Sequence, residues 1–139
     1  MLRTLSKPTI LLVDDEPVNL RVLRQLLAPH YNLTFAKNGE EAIRIANEQK
    51  PSLILLDVMM PGMTGFETCE ALKRESATQY IPVIFVTALN DEHDETEGFR
   101  VGGVDYITKP ISPSVVLARV KTHLSLVQAE DLKKTRLQV

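Results

Sequence analysis

Five short apolar segments, at 9–13, 31–35, 53–56, 82–86 and 104–108, alternate along the chain with stretches whose apolar residues fall at helical spacing. Strand, helix and strand in repetition is the pattern of crossover units, and crossovers join parallel strands. The runs ILLV, LILL and VIFV are apolar without interruption, as in strands covered on both faces, whereas YNLTF alternates, as in an edge strand with one wet face. Leu20, Leu23 and Leu27 mark a first helix opened by Pro17. Ala42, Ile43 and Ala46 mark a second after the turn-forming KNG, and Phe66, Cys69 and Leu72 mark a third. The segment 91–101 predicts a weaker fourth helix, because Phe99 and Val101 are its only large apolar residues. Ser112 followed by Pro113 gives the cap and first turn of a fifth.

These elements predict a single doubly wound α/β domain: five parallel strands in the flavodoxin-like order 2-1-3-4-5, with helices on both faces and an extended last helix. The chain has 139 residues, 44% of them hydrophobic. One core is enough at this size, which buries roughly two-thirds of the unfolded surface. The residues that end the buried runs carry the functional argument. The first run ends in Asp14 and Asp15, the third in Asp57, the fourth in Thr87 and the last in Lys109. In open parallel sheets the ligand crevice lies outside the carboxyl ends of the strands, where the strand order reverses. Four polar endings therefore meet in one place.

Three carboxylates held together repel one another unless a cation neutralises them, and an all-oxygen donor set favours a hard ion such as Mg²⁺. Taken alone, Asp14 and Asp15 also read as a cap for the helix that opens at Pro17. Asp57 follows a different strand and its own turn, MPGMTG, needs no acidic cap. A carboxylate is also a nucleophile toward phosphoryl groups. The oxygens of such a group would need a metal, the Lys109 ammonium, and the Thr87 hydroxyl or backbone amides. Taken singly, Lys109 is a lysine before a proline loop and Thr87 a β-branched strand end; together at adjacent strand tips they complete a phosphoryl site.

The segments LLVDDE, LILLDVMMPGMTGFE, VIFVTA and DYITKP, in this order and spacing, resemble the receiver domain of two-component response regulators over roughly residues 8–125. The resemblance implies that Asp57 accepts a phosphoryl group from a phosphohistidine on a sensor histidine kinase or phosphotransfer protein. It implies that Asp15, Asp57 and the Met59 backbone carbonyl bind Mg²⁺, with Asp14 acting through water, and that Lys109 contacts the phosphoryl group. It also implies a switch in which Thr87 moves toward that group and Tyr106 turns inward, and a cis peptide between Lys109 and Pro110. A plainer reading of Tyr106 is an amphipathic ring closing the last strand with its hydroxyl wet. Met59 and Leu89 stand where receiver side chains flank the path of the hydrolytic water. Both are apolar, so slow self-dephosphorylation is expected.

Two other functional classes fit parts of this pattern. A Mg²⁺-dependent phosphatase with an aspartyl nucleophile is disfavoured because Met59 occupies the position where haloacid-dehalogenase-like enzymes place an acid. An interaction module that has lost phosphorylation is disfavoured by the intact set Asp14, Asp15, Asp57, Thr87 and Lys109. A formal charge of −2, with the 16 basic residues dispersed, gives no footprint for nucleic acid. No signal peptide is apparent in MLRTLSKPT and no apolar run reaches the ~20 residues that span a bilayer, so a cytoplasmic protein is expected. The single cysteine, Cys69, sits at core spacing. Residues 1–8 read as a tail, 9–125 as the domain and 126–139 as an extension of the last helix. Leu117, Val120, Leu124 and Val127 keep a coiled-coil spacing that Asp131 and Lys134 break, and Glu130 and Lys134 form an i, i+4 pair. The extension is thus expected to be a linker to an output domain, for example a cyclic-di-GMP enzyme, or a homodimer seam.

Overall fold

The computed structural model describes residues 7–138, with side chains described through Ala129. The elements are β1 (Thr9–Val13), α1 (Pro17–Leu27), β2 (Asn32–Ala36), α2 (Gly39–Gln49), β3 (Leu53–Leu56), α3 (Gly65–Arg74), β4 (Val83–Thr87), α4 (Glu92–Arg100), β5 (Asp105–Thr108) and α5 (Pro113–Gln138). All strand pairs are parallel and the sheet runs β2-β1-β3-β4-β5. This is the predicted flavodoxin-like order. Because it reverses at β1, right-handed crossovers place α1 on one face and α2, α3 and α4 on the other.

Alternate residues of each strand divide between two cores. Leu11, Val13, Ile54, Leu56, Val83 and Phe85 pack against Ala42, Ile45, Ala46, Cys69 and Leu72 of α2 and α3. Ile10, Leu12, Leu53, Leu55, Ile84, Val86 and Ile107 pack against Leu23 and Leu27 of α1 and Val116, Val120 and Leu124 of α5. Each such aliphatic side chain, withdrawn from water, contributes roughly 1.5–3 kcal/mol. The uninterrupted runs are thereby accounted for, since β1, β3 and β4 have no wet face.

Helix starts follow the local chemistry. Asn38 caps α2 by accepting from the Glu41 amide at 2.8 Å. Thr64 and Glu67 form a reciprocal capping box on α3. The carbonyl of Ser112 accepts from Val116 at 3.1 Å, so α5 begins at Pro113 as expected.

Three expectations need adjustment. Edge strand β2 does not alternate cleanly: Phe35 is exposed, while Leu33 and Thr34 are both half-buried. In α4 the fully covered residue is Gly98, and Phe99 points outward with 46% of its surface exposed. In α5 the anticipated coiled-coil stripe is largely occupied within the domain, because Val120 and Leu124 belong to the core and Leu117 packs against it. The side chains of Glu130, Asp131 and Lys134, and residues 1–6 of the tail, lie outside the described residues.

Candidate functional site

The reversal of strand order lies between β1 and β3, and the acidic residues stand at those two tips. Hydrogen bonds carry the ladder one step past the strands, from the Asp57 amide to the Val13 carbonyl at 3.0 Å and from the Asp14 amide to the Ala36 carbonyl at 3.2 Å. On the far side of β4, the Lys109 amide donates to the Thr87 carbonyl at 2.8 Å. Backbone pairing therefore fixes where all four chain segments release their side chains.

Carboxylate oxygens of Asp14, Asp15 and Asp57 lie within 4.8 Å of one another. Lys109 Nζ donates to Asp14 Oδ2 at 2.9 Å and to Asp57 Oδ2 at 3.5 Å, bridging strand tips that are 43 residues apart in sequence order between Asp14 and Asp57. Asp14 and Asp57 are buried, and the lysine side chain is only 17% exposed. The other oxygen of Asp14 accepts from the Glu16 amide at 2.9 Å and from Asn19 Nδ2 at 3.4 Å. The capping alternative does not hold, because the N-cap of α1 is Glu16 and no side chain caps that helix. Asp57 Oδ1 accepts from the Met59 amide at 3.3 Å, while the Met59 side chain is exposed. Asp15 Oδ1 is buried with no hydrogen-bond partner among the described residues. An unsatisfied, buried carboxylate oxygen is costly. The donor set around it is all oxygen, which suits a hard divalent cation.

Burial pushes the Asp57 carboxyl above the ordinary aspartate value; Lys109 draws it back down and Asp14 adds to the rise. Burial works against the Lys109 ammonium, but its hydrogen bond to Asp14 and the charges of Asp14 and Asp57 outweigh this and hold its pKa above the usual lysine value. Three carboxylates and one ammonium at the tip of the sheet leave net negative charge there.

The turn after Asp57 depends on two glycines for different reasons. Gly62 has φ of +76° and open space around it, so it is there for conformation. Gly65 has no such angle and is there for room. A Cβ on it would run into the Asp57 carbonyl oxygen and lie 2.7 Å from Val58 Cα. Its amide donates to the Val58 carbonyl at 2.9 Å, which seats the start of α3 directly against the acidic residue's backbone.

Thr87 is fully buried at the end of β4, and its Oγ1 accepts from the Leu89 amide at 3.4 Å. Tyr106 is buried with its ring 6.1 Å from that of Phe85, and its hydroxyl donates to the Leu89 carbonyl at 2.8 Å. Burial pushes the phenol pKa up to about 12, with Asp94 and Glu95 adding to the rise. The Lys109–Pro110 peptide bond is cis.

The family model described as the response regulator receiver domain matches residues 10–121. This chain belongs to that family. Among curated relatives, a Vibrio cholerae protein named "Probable cyclic di-GMP phosphodiesterase" is 41% identical over 128 residues, covering 92% of this chain and 29% of its own. Response regulator PleD of Caulobacter vibrioides is 43% identical over 114 residues, covering 81% and 25%. A CheY-like receiver domain protein from Methanospirillum hungatei superimposes with a TM-score of 0.84 at 26% identity, over 90% of this chain and 99% of that one. The chain spans about a quarter to a third of the length of these two curated relatives. A receiver domain is consistent with phosphorylation-dependent signalling, and the acidic cluster with the family's usual use of Mg²⁺. Among the described residues no helix is long and apolar enough to cross a membrane.

Of the residues named for the site, Asp14, Asp15, Asp57 and Lys109 are brought together, the Met59 amide bonds Asp57, and Thr87 and Tyr106 are joined through Leu89. Those that sequence reasoning missed are Asn19, whose amide steadies Asp14, Gly65, and the backbone of Leu89 between Thr87 and Tyr106. Gly65 was visible as the second glycine of MPGMTG, but its role depends on a contact between α3 and β3 that no local pattern encodes.

Proposed function

We propose that this receiver domain is a phosphorylation-driven switch in which Asp57 accepts a phosphoryl group from a phosphohistidine on a sensor histidine kinase or phosphotransfer protein. The observation that carries this reading is the Lys109 ammonium shared between Asp14 and Asp57 beside the orphaned Asp15 oxygen. An Asp57 oxygen attacks phosphorus; the new P–O bond forms as the P–N bond breaks, and the bonding electrons return to the histidine nitrogen. Lys109 neutralises one phosphoryl oxygen as a point charge, and the Thr87 hydroxyl donates to another. Asp15, Asp57 and the Met59 carbonyl would hold Mg²⁺, with Asp14 acting through water. When bound, the ion supplies the positive charge that lets three carboxylates and a phosphoryl group share the site.

Output follows from Thr87 through Leu89 to Tyr106, which are linked by the two hydrogen bonds described above. With Met59 and Leu89 apolar at the rim, nothing there orients a hydrolytic water, and the aspartyl phosphate is long-lived. Residues 9–125 act as the receiver and 126–139 as the connector to an output domain, in line with the partial coverage of the relatives. Occupation of Val120 and Leu124 within the domain favours a connector over a homodimer seam. The domain acts on its own aspartate in the cytoplasm and binds no nucleic acid or membrane itself.

Incubation with acetyl phosphate and Mg²⁺, followed by intact mass measurement, tests the reading. One phosphate adduct is expected, absent in Asp57→Ala. No adduct on the parent protein, or an adduct that persists in the variant, overturns it.

A further inference from the structure

The face of α4 that meets the sheet carries a gap where a side chain is expected. Gly98 is buried inside the helix, and an interior glycine weakens a helix roughly five-fold in its local folding equilibrium relative to alanine. Conformation does not explain the choice, because the glycines with positive φ are Gly62 and Gly102. Space does. A Cβ at position 98 would lie 3.0 Å from Cδ2 and 3.3 Å from Cε2 of Tyr106, and 3.1 Å from Cδ2 of Phe85.

Neither ring can easily retreat. Phe85 is fully buried, Phe66 meets it edge-on at 5.3 Å, and a Cβ on Gly103 would stand only 2.6 Å from its Cε2. Tyr106 is tethered by its hydroxyl to the Leu89 carbonyl at 2.8 Å. A methyl group on the inner face of α4 therefore has to be accommodated by the tyrosine ring, which is 7% exposed where Phe85 is fully buried.

We infer that Gly98 is a positioning residue for Tyr106. The missing side chain reserves the inward seat of the tyrosine ring, and filling it presses the ring by a few tenths of an ångström against its tether to the Leu89 carbonyl. Leu89 in turn holds Thr87 Oγ1 through its amide, so a contact path runs from the inner face of α4 to the acidic site. The seat itself does not depend on phosphorylation. On the proposed function, side-chain volume at position 98 sets how the switch is poised before any phosphoryl group arrives.

A double-mutant cycle in the full chain separates this from simple tolerance of a glycine. Urea unfolding is measured for Gly98→Ala, for Tyr106→Ala and for the pair. With Tyr106 present, Gly98→Ala is expected to yield none of the roughly five-fold gain that helix propensity alone gives. With Tyr106→Ala the ring is gone, Phe85 can tilt into the vacated space, and the gain appears. As a second readout, ¹³C-labelled tyrosine in Gly98→Ala is expected to show shifted Tyr106 ring signals and altered Tyr106–Phe85 contact intensities by nuclear Overhauser spectroscopy. A full gain from Gly98→Ala with Tyr106 in place overturns the proposal, as do unchanged Tyr106 contacts. If Gly98→Ala folds poorly both with and without the Tyr106 ring, the obstruction is not the tyrosine and the proposal also fails.

Discussion

Asp57→Asn keeps the shape of the side chain and removes a charge that the fold balances poorly. Lys109 lies 3.5 Å from the Asp57 carboxylate, an attraction of about 5 kcal/mol at an effective dielectric constant of ~20. Against it stand Asp14 and Asp15, whose oxygens lie within 4.8 Å, a repulsion of at least about 3 kcal/mol each on the same scale. The two repulsions together exceed the attraction by at least about 1 kcal/mol, and burial of the carboxylate adds a cost of the same sign. The lysine is not orphaned by the change, because its 2.9 Å pair with Asp14 remains. Metal-free Asp57→Asn is therefore expected to be about 1–2 kcal/mol more stable than the parent at neutral pH, with an unchanged urea dependence. Mg²⁺ should reverse the order. An ion present at about 100 times its dissociation constant stabilises the parent by about 2.7 kcal/mol, and the variant, short of one ligand, gains little. Urea unfolding followed by circular dichroism, with chelator and then with excess Mg²⁺, checks both halves. A variant less stable than the parent in chelator would mean that Lys109 outweighs the two carboxylates. One that gains as much from Mg²⁺ as the parent would mean that Asp57 is not a ligand.

Lys109→Met leaves buried Asp14 without its cation and should cost about 3 kcal/mol in metal-free buffer, while slowing acetyl-phosphate labelling of Asp57 at least about ten-fold; unfolding and mass measurements read the two effects. Gly65→Ala should lower the labelling rate by displacing the Asp57–Val58 backbone, whereas Gly62→Ala should cost about 1 kcal/mol of stability through its positive φ and leave the rate unchanged. Burial pushes the Cys69 thiol from 9.0 up to about 11, so the folded state keeps a proton that the unfolded chain gives up. Stability is expected to fall as pH rises from about 9 toward 11, and Cys69→Ala should flatten that part of the profile. Phosphorylated protein, separated from donor and kept free of phosphatase, should retain its label for minutes or longer. Loss within seconds would show that Met59 and Leu89 do not keep hydrolytic water disordered.

The acidic site was legible because a strand buried on both faces can place a polar side chain only where it ends, and the order reversal between β1 and β3 says which ends meet. Asp14, Asp15, Asp57 and Thr87 end strands of that kind, whereas Lys109 follows edge strand β5 and was found from the end of its run and from the resemblance. The partner of the Tyr106 hydroxyl was not legible, since the Leu89 carbonyl is a backbone group that any residue type would supply. The inner face of α4 was misjudged for a related reason. Apolar periodicity counts side chains that fill space, and at Gly98 the informative feature is space left open for a ring from another element. In α5 the spacing of Leu117, Val120, Leu124 and Val127 was real, but a seven-residue period does not say which surface the stripe meets. The sheet decides it: Ile10, Leu12, Leu53, Leu55, Ile84 and Val86 would lie bare on one face if α1 covered them alone, so Val116, Val120 and Leu124 are drawn onto them. Burial of Val120 and Leu124 takes those two positions out of reach of another molecule, while Val115, Ala118, Arg119 and Lys121 of the same helix stay exposed.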